Sequence, residues 1–331
     1  MQKPHSITSP QAESGQSLAL GKAVPSPFLP DSNIQFAWDS TSMGWLKECP
    51  RKYYYHMIRG FVGRGEAIHL EYGILYHNAL EEYEMLKFNG LDHDQAVEAT
   101  VRSILLQTWR DGKPWRGSAD LPPDDKVSLK NRENLIRTIV WYLSKFKDDP
   151  AQTRKDPNTG RPMVELHFQF EIEDGYSLCG YLDRVVEFQE QPFVMDRKTT
   201  TSTLGSYYFD QYDPDNQMSF YSFASRVAFK TPVKGVIVDA AQIAVGFSRF
   251  VRSFVFKTND QLDEWYRDLK IFLRQARDYA QAGYWPQNDK SCHKYGGCIF
   301  RGICSKSPSV RDKFLESDFE VREWNPLIPR A

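Results

Sequence analysis

The sequence lacks the features that mark membrane and secreted proteins. No apolar run is long enough to cross a bilayer, and the first residues lack the basic-then-apolar order of a signal peptide. We therefore expect a cytoplasmic protein without a membrane partner. Cysteine is scarce, with five residues in 331. Because disulfides do not persist in a reducing cytosol, a disulfide scaffold is also excluded.

Neither sign of charge predominates, since the net charge is −1. Any polyanionic partner would have to bind a local patch of Lys and Arg, because the protein as a whole is not basic. Charge alone therefore neither requires nor excludes a nucleic-acid partner.

Changes of composition divide the chain into three parts. Residues 1–35 are rich in Ser, Pro, Gln and Gly and predict a flexible tail. Residues 36–305 predict one globular unit, and residues 306–331 predict a C-terminal extension. Within the unit we expect a helical section over about 39–148, a sheet core over about 164–283 and a cysteine-rich closure over 292–304.

Hydrophobic periodicity predicts an α/β fold with a mixed, partly antiparallel sheet flanked by helices. Helices are expected over 39–56, 70–88, 94–109, 127–146, 214–229 and 260–282. Strands are expected over 164–172, 176–188, 193–200, 233–244 and 247–256. Pro50 should break or kink the first helix, which places Cys49 at the break.

Charged residues stand inside two predicted strands, where apolar residues are expected. Asp183 lies in one strand, and Asp196 and Lys198 lie in the next. Burying an unpaired carboxylate is costly, so a cation should compensate. If the strands form a hairpin with an even-numbered loop around Gln189 and Glu190, the three side chains face the same side.

Two carboxylates and an ammonium on one face suit a Mg²⁺ site, with Lys198 near a metal-activated water or near the charge that develops on a phosphate. This is the chemistry of phosphodiester cleavage. A single Asp-x-Lys is more often a surface salt bridge, so these residues alone do not establish the site.

Four cysteines bracket the predicted globular unit. Cys49 lies near its start, and Cys292, Cys298 and Cys304 lie near its end. Four thiolates brought together suggest a metal centre that ties the two ends. Closing so long a loop is worth roughly 4 kcal/mol in the chain-entropy model. Cys179 stands in an apolar strand and should be a buried, inert thiol.

Four segments together resemble, in order and spacing, the motifs of the RecB-type branch of the PD-(D/E)XK nuclease superfamily. They are Gly73-Ile-Leu-Tyr-His77, Gly180-Tyr-Leu-Asp183-Arg184, Asp196-Arg-Lys198-Thr and Gln217-Met-Ser-Phe-Tyr221. The cysteines resemble the iron-sulfur subgroup, which includes AddB and the CRISPR-associated RecB-like exonucleases. In that subgroup one early and three late cysteines hold a [4Fe-4S] cluster. Here both late gaps hold five residues, where many relatives have a first gap of two, and Zn²⁺ remains an alternative.

The resemblance implies a restriction-endonuclease-like core and a catalytic site. The implied residues are His77, Asp183 and Asp196 as ligands of Mg²⁺ or Mn²⁺, Lys198 beside the attacking water, and Gln217 and Tyr221 as residues that arrange the site and the DNA. Taken alone, His77 would more often be a structural histidine. The spacing of four between Gln217 and Tyr221 is also what ordinary helix packing produces.

We therefore expect a divalent-metal-dependent deoxyribonuclease that hydrolyses phosphodiesters by metal-activated water, acting as an exonuclease on single-stranded DNA ends. No Walker-type loop is present, so a helicase or recombination partner would supply any unwinding. DNA repair, recombination, phage functions and CRISPR adaptation are all compatible with the resemblance. The alternative is a non-cleaving DNA-binding or assembly protein on the same scaffold, stapled by iron-sulfur or zinc. An electron carrier would leave the charged strands unexplained.

Basic and aromatic residues supply candidate DNA contacts. The segment Arg51-Lys52-Tyr53-Tyr54-Tyr55 combines positive charge with rings that can stack on unpaired bases, although about half of the tyrosines should face the core. Further candidates, most of them expected on solvated faces, are Arg249, Arg252, Lys257, Arg267, Lys270, Arg274 and Arg277.

Overall fold

A mixed sheet of seven strands lies at the centre of the structure, a computed structural model that describes residues 25–65, 67–117, 129–230, 232–294 and 297–328. Over these residues the strands are β1 (Ala37–Trp38), β2 (Phe61–Gly63), β3 (Trp109–Arg110), β4 (Lys113–Pro114), β5 (Gln152–Thr153), β6 (Val164–Glu171), β7 (Ser177–Phe188), β8 (Gln191–Thr200), β9 (Gly235–Ala244), β10 (Phe247–Val255) and β11 (Phe319–Val321). The central sheet contains β1 and β5 to β10. Together with the flanking helices, it confirms the predicted α/β class.

β7 organises the sheet because it has partners along both edges. One edge pairs with β6 and β5, both antiparallel. The other edge pairs with antiparallel β8 over residues 184–188 and with parallel β1 over residues 177–178. Between these two stretches no described strand pairs with that edge of β7, which leaves a gap beside β7. β8 continues past this gap, paired on its far side with parallel β9, which in turn pairs with antiparallel β10.

Helices cover both faces of the sheet. In the described residues they are α1 (Ser40–Glu48), α2 (Pro50–Tyr53), α3 (Ile68–Phe88), α4 (His93–Gln107), α5 (Arg132–Lys145), α6 (Ser206–Asp210), α7 (Asn216–Ala228), α8 (Asn259–Gln281), α9 (Arg301–Cys304) and α10 (Arg311–Asp318). One apolar core joins α3, α4 and α5 to sheet residues such as Ile243. The other joins α1, α7 and α8 to residues such as Val194 and Val236. The hydrophobic periodicity read from the sequence corresponds to these two layers.

Capping residues and one proline set the ends of several helices. Asp39, Asp92 and Thr258 each form a capping box at the start of α1, α4 and α8. The break predicted at Pro50 is confirmed, because α1 ends at Glu48 and α2 begins at Pro50. Cys49 between them is extended, with φ −163° and ψ 113°. A π-helical turn over Tyr54–Ile58 follows α2.

The two ends of the described chain meet in a smaller apolar cluster. β2 pairs with antiparallel β11. Beside this pair, Tyr55 and Phe61 from the N-terminal part pack with Phe300, Leu315 and Phe319 from the C-terminal part. Contact between the ends therefore does not depend on a metal alone. The division predicted after residue 305 stays a prediction, although the residues that follow it contribute to this cluster.

Some predictions fall at the limits of the described residues. Of the predicted tail, residues 1–24 lie outside them, and residues 25–35 include a bridge between Phe28 and Gln35. The first part of the predicted 127–146 helix also lies outside, and α5 begins at Arg132. Within the part of the chain that the structure describes, no helix has both the length and the apolar character needed to span a bilayer.

The hairpin between β7 and β8 has the even-numbered loop on which the shared face depends. Phe188 pairs with Gln191, which leaves Gln189 and Glu190 as a two-residue turn. Both turn residues have positive φ, 49° and 61°. This is the backbone of a type I′ turn, which strongly favours Asn-Gly. The conformation is therefore set by strand register rather than by the preference of Gln and Glu.

Replacing Gln189 and Glu190 together by Asn and Gly should relieve this backbone strain. We expect the free energy of unfolding to rise by about 0.5–1 kcal/mol in urea denaturation. Glu187→Gly, within β7, is the control and should lower it, because glycine weakens a strand interior. A less stable Asn-Gly variant would contradict the turn assignment.

Candidate active site

Two side chains fill the gap along the edge of β7. The backbone N–H of Arg197, on β8, donates to Oδ2 of Asp183 at 3.0 Å. The backbone C=O of Arg197 accepts from Nε2 of His77, on α3, at 2.8 Å. Buried backbone groups need partners, and here a carboxylate and an imidazole take the place of a neighbouring strand. One residue of β8 thus fixes the positions of both side chains.

The bond to the Arg197 carbonyl also fixes the tautomer of His77. A carbonyl oxygen can only accept, so Nε2 carries the proton and Nδ1 of the neutral ring presents a lone pair. Burial lowers the pKa of His77, although Asp183 opposes it, and this favours the neutral ring. Nδ1 lies 3.3 Å from Oδ2 of Asp183 and 4.0 Å from Oε1 of Glu165. A lone pair that faces two carboxylates is repulsive unless a cation lies among them.

His77, Glu165 and Asp183 form a group that could hold a metal ion. Their ligand atoms all lie within 4.8 Å of one another, and the described residues contain no second group of this kind. One imidazole nitrogen and two carboxylate oxygens suit Mg²⁺ or Mn²⁺. The donor set therefore fits the divalent cation that the sequence analysis predicted.

Glu165 is the member of this group that was not predicted from the sequence. It lies in β6, opposite Asp183 in the register that pairs Val164 with Arg184 and Leu166 with Leu182 of β7. Its φ is 43°, a conformation that is strained for a residue other than glycine and is often found at functional sites. In the sequence it looks like a solvent-facing residue of an alternating strand. Only the register between β6 and β7 could have placed it opposite Asp183.

Asp196 lies beside the three-ligand group and is not one of its members. It is buried, and burial, with a contribution from nearby Asp183, raises its pKa to about 7, although Lys198 opposes the shift. A divalent cation nearby would favour the ionised carboxylate. The predicted role of Asp196 as a metal ligand stays a prediction.

Lys198 joins Asp196 to α7. Its Nζ lies 3.0 Å from Oδ1 and 2.8 Å from Oδ2 of Asp196, and it donates to Oε1 of Gln217 at 2.8 Å. The amide of Gln217 donates in turn to the hydroxyl of Tyr221 at 2.9 Å. The structure therefore brings all six predicted catalytic residues into one region. His77 and Asp183 contact the backbone of Arg197 at the gap, Asp196 and Lys198 form an ion pair beside it on β8, and Gln217 and Tyr221 lie on α7.

The four cysteines of the predicted metal centre lie near one another without forming a close group. Burial raises the pKa of Cys304 to about 11, with contributions from Cys298 and Cys49. Burial also raises the pKa of Cys298, and here Cys292 and Cys49 contribute. Among the described residues, however, no three of the sulfur atoms lie within 4.8 Å of one another.

Cys179 has the environment that was predicted for it. Its side chain is fully buried in β7, and burial raises the pKa of its thiol far above the ordinary value. A buried thiol of this kind is unreactive.

Several residues that were predicted to contact DNA are buried or ion-paired within the fold. Tyr53 and Tyr55 are buried, in line with the expectation that about half of the tyrosines face the core. Arg252 is held by Asp149, with Nη1 2.6 Å from Oδ1, and Lys257 is buried beside Asp213. Neither cation is free to bind a phosphate, because burial and pairing hold both inside the protein.

Comparison with known proteins identifies a related family. A family model of the PD-(D/E)XK nuclease superfamily matches residues 41–305. A suspected exonuclease from Eubacterium rectale is 10% identical with a TM-score of 0.47, over 84% of this chain and 92% of that chain. The crystal structure of SSO0001 is 17% identical with a TM-score of 0.34, over 82% of this chain and 86% of that chain. No curated protein sequence matches. The family match spans the gap in the sheet and all four cysteines of the predicted metal centre.

Glu165→Gln should weaken Mn²⁺ binding by about tenfold or more, because it removes one of the two carboxylates that face Nδ1 of His77. Isothermal titration calorimetry on the folded protein measures this affinity. Glu171→Gln, an exposed position at the other end of β6, is the matched control and should leave it unchanged. Equal affinities for the Glu165 variant and the unmodified protein would rule Glu165 out as a ligand.

Proposed function

Because the chain belongs to the PD-(D/E)XK nuclease superfamily, we propose that it is a divalent-metal-dependent deoxyribonuclease, an exonuclease acting on single-stranded ends. The observation that carries this proposal is the meeting of a neutral imidazole and two carboxylates at the gap between β7 and β8, beside the buried Asp196 and the partly buried Lys198. A surface salt bridge would not require an imidazole, three carboxylates and an ammonium to meet in one partly buried site.

In this proposal, His77, Glu165 and Asp183 hold the cation, with Asp196 next to them. When bound, the cation supplies Lewis acidity toward the phosphodiester and the water that attacks it. The protein contributes orientation, because the backbone of Arg197 holds both His77 and Asp183. Ligands held by such bonds need little rearrangement when the cation and the substrate arrive.

Lys198 acts in this proposal as a cation. Although burial opposes it, the carboxylates of Asp196 and Asp183 raise the pKa of Lys198, so the side chain remains protonated. An ammonium cannot accept a proton, but it can donate hydrogen bonds to an attacking water or to a phosphate oxygen that gains charge. Gln217, supported by Tyr221, holds the ammonium toward Asp196.

Single-stranded substrate is proposed from the resemblance to RecB-like exonucleases and from a basic aromatic surface near the cysteines. Tyr284 is 63% exposed, and the guanidinium of Arg51 lies 5.2 Å from the centre of its ring. Unpaired bases stack on such rings while arginine neutralises the phosphates. A separate helicase or recombination protein would supply unwinding, and repair, recombination, phage and CRISPR pathways all remain compatible.

We further propose that Cys49, Cys292, Cys298 and Cys304 hold a [4Fe-4S] cluster, as in the AddB-type branch. A tetrahedral zinc site, with Zn–S of about 2.3 Å, would place its sulfur atoms about 4 Å apart. A cubane separates them further, since each thiolate binds a different iron. The preference for iron-sulfur over zinc rests on the order of one early and three late cysteines, which resembles that branch.

Asp196→Ala and Lys198→Ala should each reduce DNA cleavage at least about a hundredfold while leaving the fold intact, because Asp196 supplies negative charge beside the proposed cation and Lys198 donates to the attacking water or the phosphate. End-labelled single- and double-stranded DNA, linear and circular, measures the activity with Mg²⁺ or Mn²⁺. Lys234→Ala is the control, at an exposed lysine just before β9 and at the end of that strand away from Lys198. Undiminished cleavage by either folded variant would contradict the proposed mechanism. Cleavage of circular DNA would show endonuclease action.

Protein purified without oxygen should be brown and carry about four irons per chain. Cys304→Ser should lose the colour and most of the iron, whereas Cys179→Ser, at the buried thiol outside the proposed cluster, should keep both. Iron analysis and visible absorption measure the result. Colourless protein that contains one zinc per chain would show that the cysteines hold a structural zinc ion and not an iron-sulfur cluster.

A further inference from the structure

A cavity of about 270 Å³ lies on the face of the sheet opposite the catalytic aspartates. Successive residues of a strand point to opposite faces, so Arg184 and Arg197 point away from Asp183 and Asp196 and line this cavity. α3 and α5 form its other walls. Its volume approaches the lower end of the range of ligand pockets, about 300–1,000 Å³.

The side chain of Arg197 is the unusual feature of the cavity. Arg197 is 3% exposed, yet its Nε has no hydrogen-bond partner among the described residues. Its Nη2 lies 3.7 Å from Oε1 of Glu84, which is too long for a hydrogen bond. Arg184, by contrast, donates to Thr153 at 2.7 Å and to the carbonyl of Ala151 at 3.0 Å. A buried donor without an acceptor is costly, so an acceptor bound beside Arg197 would offset part of that cost.

The mouth of the cavity has a different character. The lining residues Lys87, Lys147 and Lys155 are exposed there, and the ammonium of Lys155 lies 5.7 Å from the centre of the Phe88 ring. The two acidic lining residues, Glu84 and Asp149, lie inside, where they face the two arginines. The three lysines therefore leave an excess of positive charge where solvent enters.

We propose that this cavity binds a nucleoside monophosphate, with its phosphate at the lysines and its base inside. Lysines bind phosphate through charge-assisted hydrogen bonds. The acceptor edge of a base matches the donors of the Arg197 guanidinium, as arginine matches base edges elsewhere. The rings of Tyr83 and Phe146, which also line the cavity, provide flat apolar walls for the base. This binding goes beyond the proposed cleavage and does not require it.

Titration of the full chain with deoxynucleoside monophosphates tests the proposal, in a chelator so that no metal-dependent binding contributes. At least one nucleotide should bind in calorimetry. Arg197→Met and the double variant Lys147→Ala, Lys155→Ala should each weaken binding by about tenfold or more. Glu165→Gln, in the proposed metal site, should leave nucleotide affinity unchanged, which separates this site from the proposed active site.

Circular dichroism shows whether each variant is folded. The lysine variant changes only exposed residues, so it tests the proposal even if Arg197→Met does not fold. The proposal is overturned if no nucleotide binds the unmodified protein. It is also overturned if inorganic phosphate binds as tightly as the nucleotides, or if Glu165→Gln abolishes binding while the lysine variant does not.

Discussion

The backbone of Arg197 is the constraint on which the proposed active site depends. β8 extends beyond its pairing with β7, so the N–H and C=O of this residue face a gap and need partners. Asp183 and His77 supply them, from a neighbouring strand and from a helix far away in the sequence. Because the fold would otherwise leave two buried polar groups unpaired, it holds both side chains where a cation can bind them. Positioning of the candidate ligands is thus part of folding.

The opposite face of the same strands is also charged, and there the charges neutralise one another. Arg184 lies 3.1 Å from Glu84, and Arg252 lies 2.6 Å from Asp149 and 3.3 Å from Asp239. Buried charges are costly unless they are paired, and removing one partner of such a pair typically costs about 3–5 kcal/mol. On one face of the sheet the buried charges therefore balance one another. On the other face the carboxylates need a cation to balance them. The backbone of Arg197 holds the proposed active site, and its side chain belongs to the charged network on the opposite face.

The sequence was sufficient for features that follow from local rules. Period-two alternation and an even turn placed Asp183 and Asp196 on one face, and Pro50 marked the break at Cys49. Glu165 could not be predicted in the same way, because its role depends on the register of β6 against β7 and on a positive φ that no local residue preference favours. The pairing of Arg252 with Asp149 depends on how α5 and its following loop pack on the sheet, which is likewise not encoded locally.

The most direct test of this account is a crystal structure of the protein with Mn²⁺, using anomalous scattering to locate the metal. The account predicts an anomalous peak bounded by Nδ1 of His77 and by carboxylate oxygens of Glu165 and Asp183, with Nε2 of His77 still bonded to the Arg197 carbonyl. A fully occupied peak elsewhere, with the imidazole turned away from these carboxylates, would contradict it.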